Sequence, residues 1–191
     1  MHRDGDWHGA LHIWVGGIDE SGRPFALFQR RSRSKDTWPG ALDVAVGGHI
    51  RAGETLGDTV REAEEEIGLR VAAGDLARLG RRFARSPGGF DNEVQDVLAL
   101  RSDLPLAAYS LHPDEVEAVV AVGLEEALAL FDGSALAVPG LELRRGGGDP
   151  EETVVTVAGF AAGEVGGYAA VALRGLREVV HGSTPEPFEL R

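Results

Sequence analysis

Three closely spaced glutamates are the residues of this sequence whose types and spacing most directly suggest chemistry. Glu62, Glu65 and Glu66 lie in a segment whose apolar residues recur at helical spacing. On a helical wheel, at about 100° per residue, the three carboxylates share one arc. The opposite arc is apolar and consists of Leu56, Val60, Ala63 and Ile67. Such a charged face is most often simply solvated, but a hard divalent cation such as Mg²⁺, which takes oxygen ligands, would offset the repulsion between the carboxylates.

The residues that flank these glutamates favour the cation site. The segment begins at Gly48, and five residues separate this glycine from Glu54. Six residues then separate Glu54 from Arg61, which opens the run Arg-Glu-Ala-Glu-Glu-Glu-Ile-Gly-Leu. This pattern resembles the Nudix box, in which seven residues stand where this chain has six. The turn before the helix is therefore expected to be one residue shorter than in the family.

The resemblance implies a site that binds a divalent cation against a diphosphate. In the family the box forms a loop-helix-loop, and its glutamates are the ligands of the cation. Carried over to this chain, the implied ligands are the carbonyl of Gly48 and the carboxylates of Glu62, Glu65 and Glu66. Arg61 is expected to orient the glutamates through an ion pair, and Glu54 to brace the loop. Mg²⁺ is the implied cofactor, and Mn²⁺ is expected to substitute for it.

Two further segments resemble isopentenyl-diphosphate isomerases, a branch of the same superfamily. The stretch from Leu27 to Gly40 places Arg31 and Lys35 where the isomerases have two basic residues that contact the diphosphate. The alternative is a basic, solvated loop. The run Asp91-Asn92-Glu93-Val94 resembles an acidic segment that supplies metal ligands. Glu93 is thus a candidate for an additional ligand or a general base, the alternative being a polar turn at the start of a strand.

These features predict an enzyme that hydrolyses acid anhydrides. The expected substrate is a small molecule with a diphosphate linkage, such as a nucleoside di- or triphosphate or another nucleoside diphosphate linked to a group X. An isomerase-like activity is disfavoured because it requires a cysteine and the chain has none. A non-catalytic module that senses nucleotides is the other alternative. The intact set of glutamates and the lack of a basic helix-turn-helix pattern speak against it.

Composition narrows the remaining choices. A formal net charge of -12 argues against nonspecific binding to nucleic acid. No apolar run of about 18 residues is present, so no membrane-spanning helix is expected. The N-terminal residues lack the apolar stretch of a secretory signal, and cytoplasm is the expected location. The sequence leaves a homodimer open.

The elements that must position these residues can be outlined from periodicity and turn signals. Strands are predicted over 8–16, 25–30, 42–46, 76–84, 93–100, 115–122 and 154–160, and helices over 56–67 (with Thr55 as N-cap), 124–131 and 164–180. The glycine-rich run 145–150 predicts a linker between a Nudix domain (1–145) and a C-terminal extension (146–191) that packs a strand and a helix on the core. The resemblance implies an α/β fold, an α/β/α sandwich around a mixed sheet.

Five other polar residues carry weaker expectations. No role is assigned to His8 or His12, whereas His49 is expected to be structural, the alternative being contact with the substrate. Glu115 and Glu117 stand two apart at the start of a predicted strand and are expected to be mainly solvated.

Overall fold

A mixed β-sheet forms the centre of the protein in this computed structural model, which describes residues 6–51, 53–85, 92–161 and 167–191. Within these ranges the sheet has ten strands. They are β1 (Trp7–Ile18), β2 (Pro24–Arg31), β3 (Leu42–Val44), β4 (Val46–Ile50), β5 (Leu76–Arg85), β6 (Asn92–Arg101), β7 (Val116–Gly123), β8 (Ala137–Arg144), β9 (Glu151–Thr156) and β10 (Phe188–Leu190). Their order is β10-β5-β6-β1-β2-β7-β8-β9, with β3 on β2 and β4 on β1.

Helices cover both faces of this sheet. The described helices are α1 (Leu56–Thr59), α2 (Glu62–Ile67), α3 (Leu124–Phe131) and α4 (Gly167–Val180). On β1, Leu11 and Ile13 pack with the buried residues of α2, whereas Trp14 packs with those of α3 and α4. Successive side chains of a strand point to opposite faces. The sheet therefore separates α2 from α3 and α4, and the predicted α/β/α sandwich is confirmed.

Several predicted elements differ in extent from those observed. The strand predicted over 42–46 is two strands, because β3 pairs with β2 whereas β4 pairs with β1 and continues to Ile50. Gly48 therefore lies inside a strand rather than after one. The predicted linker 145–150 is the connection between β8, which was not predicted, and its antiparallel partner β9. The division at residue 145 stays a proposal, and β9, α4 and β10 are the elements of the extension that contact the rest of the protein, β10 through its pairing with β5.

The acidic helix is shorter than its pattern predicts. Residues 56–67 form α1 and α2 with a turn between them, where the amide of Arg61 binds the carbonyl of Asp58. Thr55 and Asp58 cap α1 reciprocally, through hydrogen bonds of 2.9 and 3.3 Å to each other's backbone amides. Gly68 ends α2 in the left-handed region, with φ 71°. Across the described residues, no helix is long and apolar enough to cross a bilayer.

Candidate active site

The short helix α2 presents its three predicted ligands at different depths. Glu65 is exposed and Glu62 is half-buried, whereas only 5% of Glu66 is exposed. The carboxylate of Glu66 accepts a hydrogen bond of 3.2 Å from Nε2 of Gln29 and another from the backbone amide of Gly47. Glu66 therefore lies beneath the other two carboxylates, where the helical wheel placed all three on one outer face.

Burial and crowding of negative charge make this cluster electrostatically costly. Burial, and then the charges of Glu62 and Glu115, raise the pKa of Glu66 to about 8, although Lys35 counteracts them. Burial and the charge of Glu65 likewise raise the pKa of Glu62. The pKa of a carboxyl group rises in this way when the group is buried near other negative charges and too few positive charges lie close to it. A bound divalent cation would supply the missing positive charge, so the donor set fits a hard, oxygen-preferring ion.

Gly48 allows α2 to approach strand β4 closely. A methyl group on Gly48 would lie 2.8 Å from Cγ of Glu62, closer than carbon atoms tolerate. The backbone of Gly48 is therefore packed directly against a proposed ligand. This close contact explains why the motif has a glycine at this position, since a larger side chain would clash with Glu62. It also places the backbone of Gly48 beside the carboxylate cluster.

Arg61 and Glu54 make local contacts around the turn before α2. Nε of Arg61 donates to the carbonyl of Asp58 at 2.9 Å, and within the described residues no glutamate pairs with it at 4.0 Å or less. The expected ion pair is thus not formed in this state. Glu54 accepts a 3.0 Å hydrogen bond from the amide of Arg51, and its own amide binds the carbonyl of Arg51. This reciprocal pair of hydrogen bonds closes the turn, and bracing of the loop stays the predicted role of Glu54.

The two predicted diphosphate-binding residues are both paired with acids. Arg31 donates to Asp43 at 2.9 Å and to the carbonyl and hydroxyl of Thr37, so that it holds the loop after β2. The ammonium of Lys35 forms a short contact with Glu115. Lys35 thereby lies beside the carboxylate cluster, whereas Arg31 is engaged by Thr37 of its own loop and by Asp43 of β3.

A second polar cluster surrounds Glu93. One ligand atom each from His8, His49 and Glu93 lie within 4.8 Å of one another. Nε2 of His49 is 2.9 Å from Oε1 of Glu93, and Nε2 of His8 is 3.7 Å from it. Burial alone would raise the pKa of Glu93, but hydrogen bonds from His49 and Gln95 lower it to about 2. Imidazole and carboxylate ligands in this arrangement suit a transition-metal ion. Asp91, singled out with Glu93, lies outside the described residues.

This second cluster and the α2 glutamates belong to opposite faces of the sheet. Glu93 shares a face of β6 with Val97, which packs with α4. Gln29, the partner of Glu66, shares a face of β2 with Leu27, which packs with α2. The structure therefore places Glu93 with the histidines rather than beside the glutamates of α2.

Three residues of these clusters were missed by sequence reasoning. Glu115 was expected to be solvated, yet it contacts Lys35 and its charge raises the pKa of Glu62 and Glu66. His8 and His49 come together only through the pairing of β1 with β4 and β6. The signal that could have found them is strand pairing, because His8 is directly opposite Glu93 in the register.

Comparison with known sequences supports one family. The NUDIX domain model matches residues 12–140. Nudix hydrolase 3 of Arabidopsis thaliana is 38% identical over 133 residues, covering 66% of this chain and 17% of that protein. An uncharacterized Nudix hydrolase of Clostridium acetobutylicum is 31% identical over 135 residues, covering 69% of this chain and 65% of that protein. An isopentenyl-diphosphate Delta-isomerase of Cutibacterium acnes is 35% identical over 119 residues, covering 57% of each. The chain thus spans less than two thirds of each of these relatives.

Solved structures with a similar fold support the architecture. A MutT/nudix family protein from Enterococcus faecalis has a TM-score of 0.58 at 15% identity, covering 91% of this chain and 62% of that one. A Deinococcus radiodurans protein has a TM-score of 0.50 at 23% identity, covering 87% of this chain and 81% of that one. At these identities the likeness concerns the fold alone.

Proposed function

We propose that this chain, which belongs to the Nudix family, hydrolyses a diphosphate linkage with the help of a divalent cation. The observation that carries this proposal is the carboxylate cluster around α2, in which Glu66 is buried near Glu62 of the same helix and Glu115, which precedes β7, and has a pKa raised to about 8. A protein gains no stability from such a cluster, so a ligand that neutralises it accounts best for its presence.

The cation would be held by the carboxylates of Glu62, Glu65 and Glu66, with the carbonyl of Gly48 as a further donor. Mg²⁺ is the proposed ion, with Mn²⁺ as a substitute. When bound, such an ion offsets phosphate charge and lowers the pKa of a coordinated water. Gln29 fixes the orientation of the buried Glu66 carboxylate through its 3.2 Å hydrogen bond.

Lys35 and Glu115 are the proposed mobile partners at the edge of this site. Their ion pair is partly exposed, with 29% and 36% of the two side chains accessible. A partly exposed pair is weak, so a substrate phosphate can take the place of Glu115 on the ammonium of Lys35. The carboxylate of Glu115 is then released beside the cluster, where it can accept a proton from the attacking water. Arg31 keeps the loop that carries Lys35 in place.

The substrate class follows from the family and from the charges of the site. We propose a nucleoside di- or triphosphate, or another nucleoside diphosphate linked to a group X. With Mg²⁺ or Mn²⁺, a panel of such compounds should be cleaved to a nucleotide and phosphate or a second phosphorylated product, and excess chelator should abolish turnover. Products are read by anion-exchange chromatography. If no member of the panel is hydrolysed with either cation, the proposal is wrong.

Isomerase activity is the competing proposal because of the Cutibacterium acnes relative. The chain has no cysteine, and the three residues directly before the Gly48-His49 pair are Ala45, Val46 and Gly47, none of which has a side chain that can donate a proton. Isopentenyl diphosphate with Mg²⁺ should therefore show no migration of its double bond by proton NMR. Migration at an enzymatic rate would replace the hydrolase proposal with the isomerase.

The cluster of His8, His49 and Glu93 is proposed as a site for a second cation of transition-metal type. Glu93→Gln should weaken binding of Mn²⁺ or Zn²⁺ to this site by roughly tenfold or more, because a charged ligand is lost. Asp96→Asn is the matched control, since Asp96 is on the same strand and pairs with Arg81 instead. Calorimetric titration measures both. If the wild type and Glu93→Gln bind Mn²⁺ and Zn²⁺ with equal affinity, this cluster is not a cation site.

A further inference from the structure

Two cavities lie side by side at the end of β8 and share Arg144 and Arg145. The first has a volume of about 360 Å³ and is lined by Ser32, Arg33, Glu117, Arg144 and Arg145. We call it the arginine groove. The second, of about 310 Å³, continues from the two shared arginines towards Tyr109 and the glycines that follow Arg145. Neither cavity contains a glutamate of α2, and neither is used by the proposed hydrolysis.

The arginine groove carries an excess of positive charge on a strongly acidic chain. Arg33 and Arg144 both pair with the carboxylate of Glu117, at 3.3 and 3.0 Å. Among the described residues, no carboxylate lies within 4.0 Å of the guanidinium of Arg145. The lining therefore holds three guanidiniums against one carboxylate, while Glu142 behind it is shared between Arg144 and Arg30. The chain as a whole has a net charge of -12, so a positively charged groove on it suggests a binding site for an anion.

A single loop connects the groove to the carboxylate cluster. The amide of Ser32, in the groove lining, donates to the carbonyl of Glu115 at 2.8 Å. Three residues later, Lys35 contacts the carboxylate of the same Glu115. Glu115 and Lys35 both lie close enough to Glu66 for their charges to act on it. The groove and the carboxylate cluster are therefore neighbours, joined through Ser32, Lys35 and Glu115.

We propose that the arginine groove binds a phosphate monoester of the substrate, remote from the diphosphate that is cleaved. The net charge of the lining matches a phosphate monoester, which carries about -1.5 to -2 at neutral pH. The planar guanidinium forks of Arg33 and Arg145 suit paired hydrogen bonds to phosphate oxygens. This inference rests on the proposed hydrolase function and narrows its substrate class to nucleoside diphosphate compounds that carry an additional phosphate.

Substrate pairs that differ by one phosphate monoester test the inference through KM and kcat. NADP with NAD, and coenzyme A with dephospho-coenzyme A, are two such pairs. For at least one pair, the wild type should have a KM roughly tenfold lower for the phosphorylated member, and Arg145→Ala should abolish that preference with kcat retained. Arg145→Lys should restore part of it. If neither pair shows a preference, or if Arg145→Ala keeps it, the inference is wrong.

Two choices make the variants informative. Arg144 is not substituted because it also pairs at 2.7 Å with Glu142, which is buried, and its loss would leave that carboxylate with Arg30 as its one remaining ion-pair partner among the described residues. Arg78→Ala is the matched control. It removes an exposed arginine from β5, which β6, β1 and β2 separate from the strands of the groove.

Binding of inorganic phosphate tests the groove independently of any hydrolysis. Without a divalent cation, the carboxylate cluster repels anions, so calorimetry at low salt reports on the arginines. The double variant Arg33→Ala with Arg145→Ala should bind phosphate at least about fivefold more weakly than the wild type and Arg78→Ala. Equal affinities in all three proteins would overturn the inference. If phosphate binding follows this pattern but no substrate is cleaved, the proposed hydrolase function fails and the groove stands.

Discussion

Replacement of Glu66 by glutamine is expected to lower the turnover of diphosphate hydrolysis by about a thousandfold or more. The amide keeps the shape of the side chain and the contact with Gln29, but it removes the charge that would hold the cation. Loss of several kcal/mol of charge stabilisation in the transition state corresponds to such a factor, since each 1.36 kcal/mol changes a rate tenfold. Steady-state kinetics at saturating Mg²⁺ measures the effect.

Replacement of a neighbouring glutamate is the control that distinguishes loss of a cation ligand from a general loss of negative charge. Glu64 belongs to the same helix but is exposed, and it pairs with Arg70 at 2.8 Å. Glu64→Gln should retain nearly full turnover, whereas Glu65→Gln should fall with Glu66→Gln. Circular dichroism should show the same folded spectrum for all three variants. If Glu65→Gln and Glu66→Gln both hydrolyse substrate at close to the wild-type rate, the cation site is not on α2.

Those elements of the fold could be predicted from the sequence whose own residues show the apolar runs, turns or helical spacing of a strand or helix. The largely apolar runs of β1 and β2, and the turn between them, predicted two strands whose observed bounds differ by two residues or fewer from the predicted ones. The helix predicted over 124–131 is α3 itself. By contrast β8, with Pro139 and Gly140 inside it, has no strand-like composition. It is a strand because β7 and β9 pair with it on either side, which only the tertiary structure supplies.

The residues of the candidate site could be predicted from the sequence, but the burial and the partners of their side chains could not. A helical wheel gives the angle of each side chain about the helix axis, but not what packs against that side chain. Of the three glutamates predicted as ligands on α2, Glu66 is the nearest to the apolar arc, and it is buried where Gln29 reaches it across a sequence separation of 37 residues. The partners of Lys35 and Glu93 are also distant in sequence. Contacts of this kind determine charge and pKa, and no local pattern encodes them.

Stability of the cation-free protein is expected to fall as the pH rises towards 8, and Mg²⁺ should reverse the fall. The raised pKa of Glu66, about 8 against an ordinary 4.5, means that the native state keeps a proton that the unfolded chain has released. Because the native state binds more protons in this window, unfolding becomes easier with rising pH. The stabilising effect is complete below the ordinary pKa and is lost as the pH passes the raised one.

Comparison with Glu66→Gln isolates this contribution. Burial lowers the pKa of His12, which strengthens the native state as the pH rises towards 6.5 and would obscure a measurement on the wild type alone. His12 is unchanged in the variant, so the difference between the two melting temperatures reports on Glu66. In chelator, that difference should grow by several degrees between pH 6 and 8, with the variant the more stable. Saturating Mg²⁺ should raise the wild-type melting temperature at pH 8 and leave the variant nearly unchanged, because the cation binds the ionised carboxylate of the native state. A constant difference across this pH range, or an equal response of both proteins to Mg²⁺, would show that Glu66 neither holds the proton nor binds the ion.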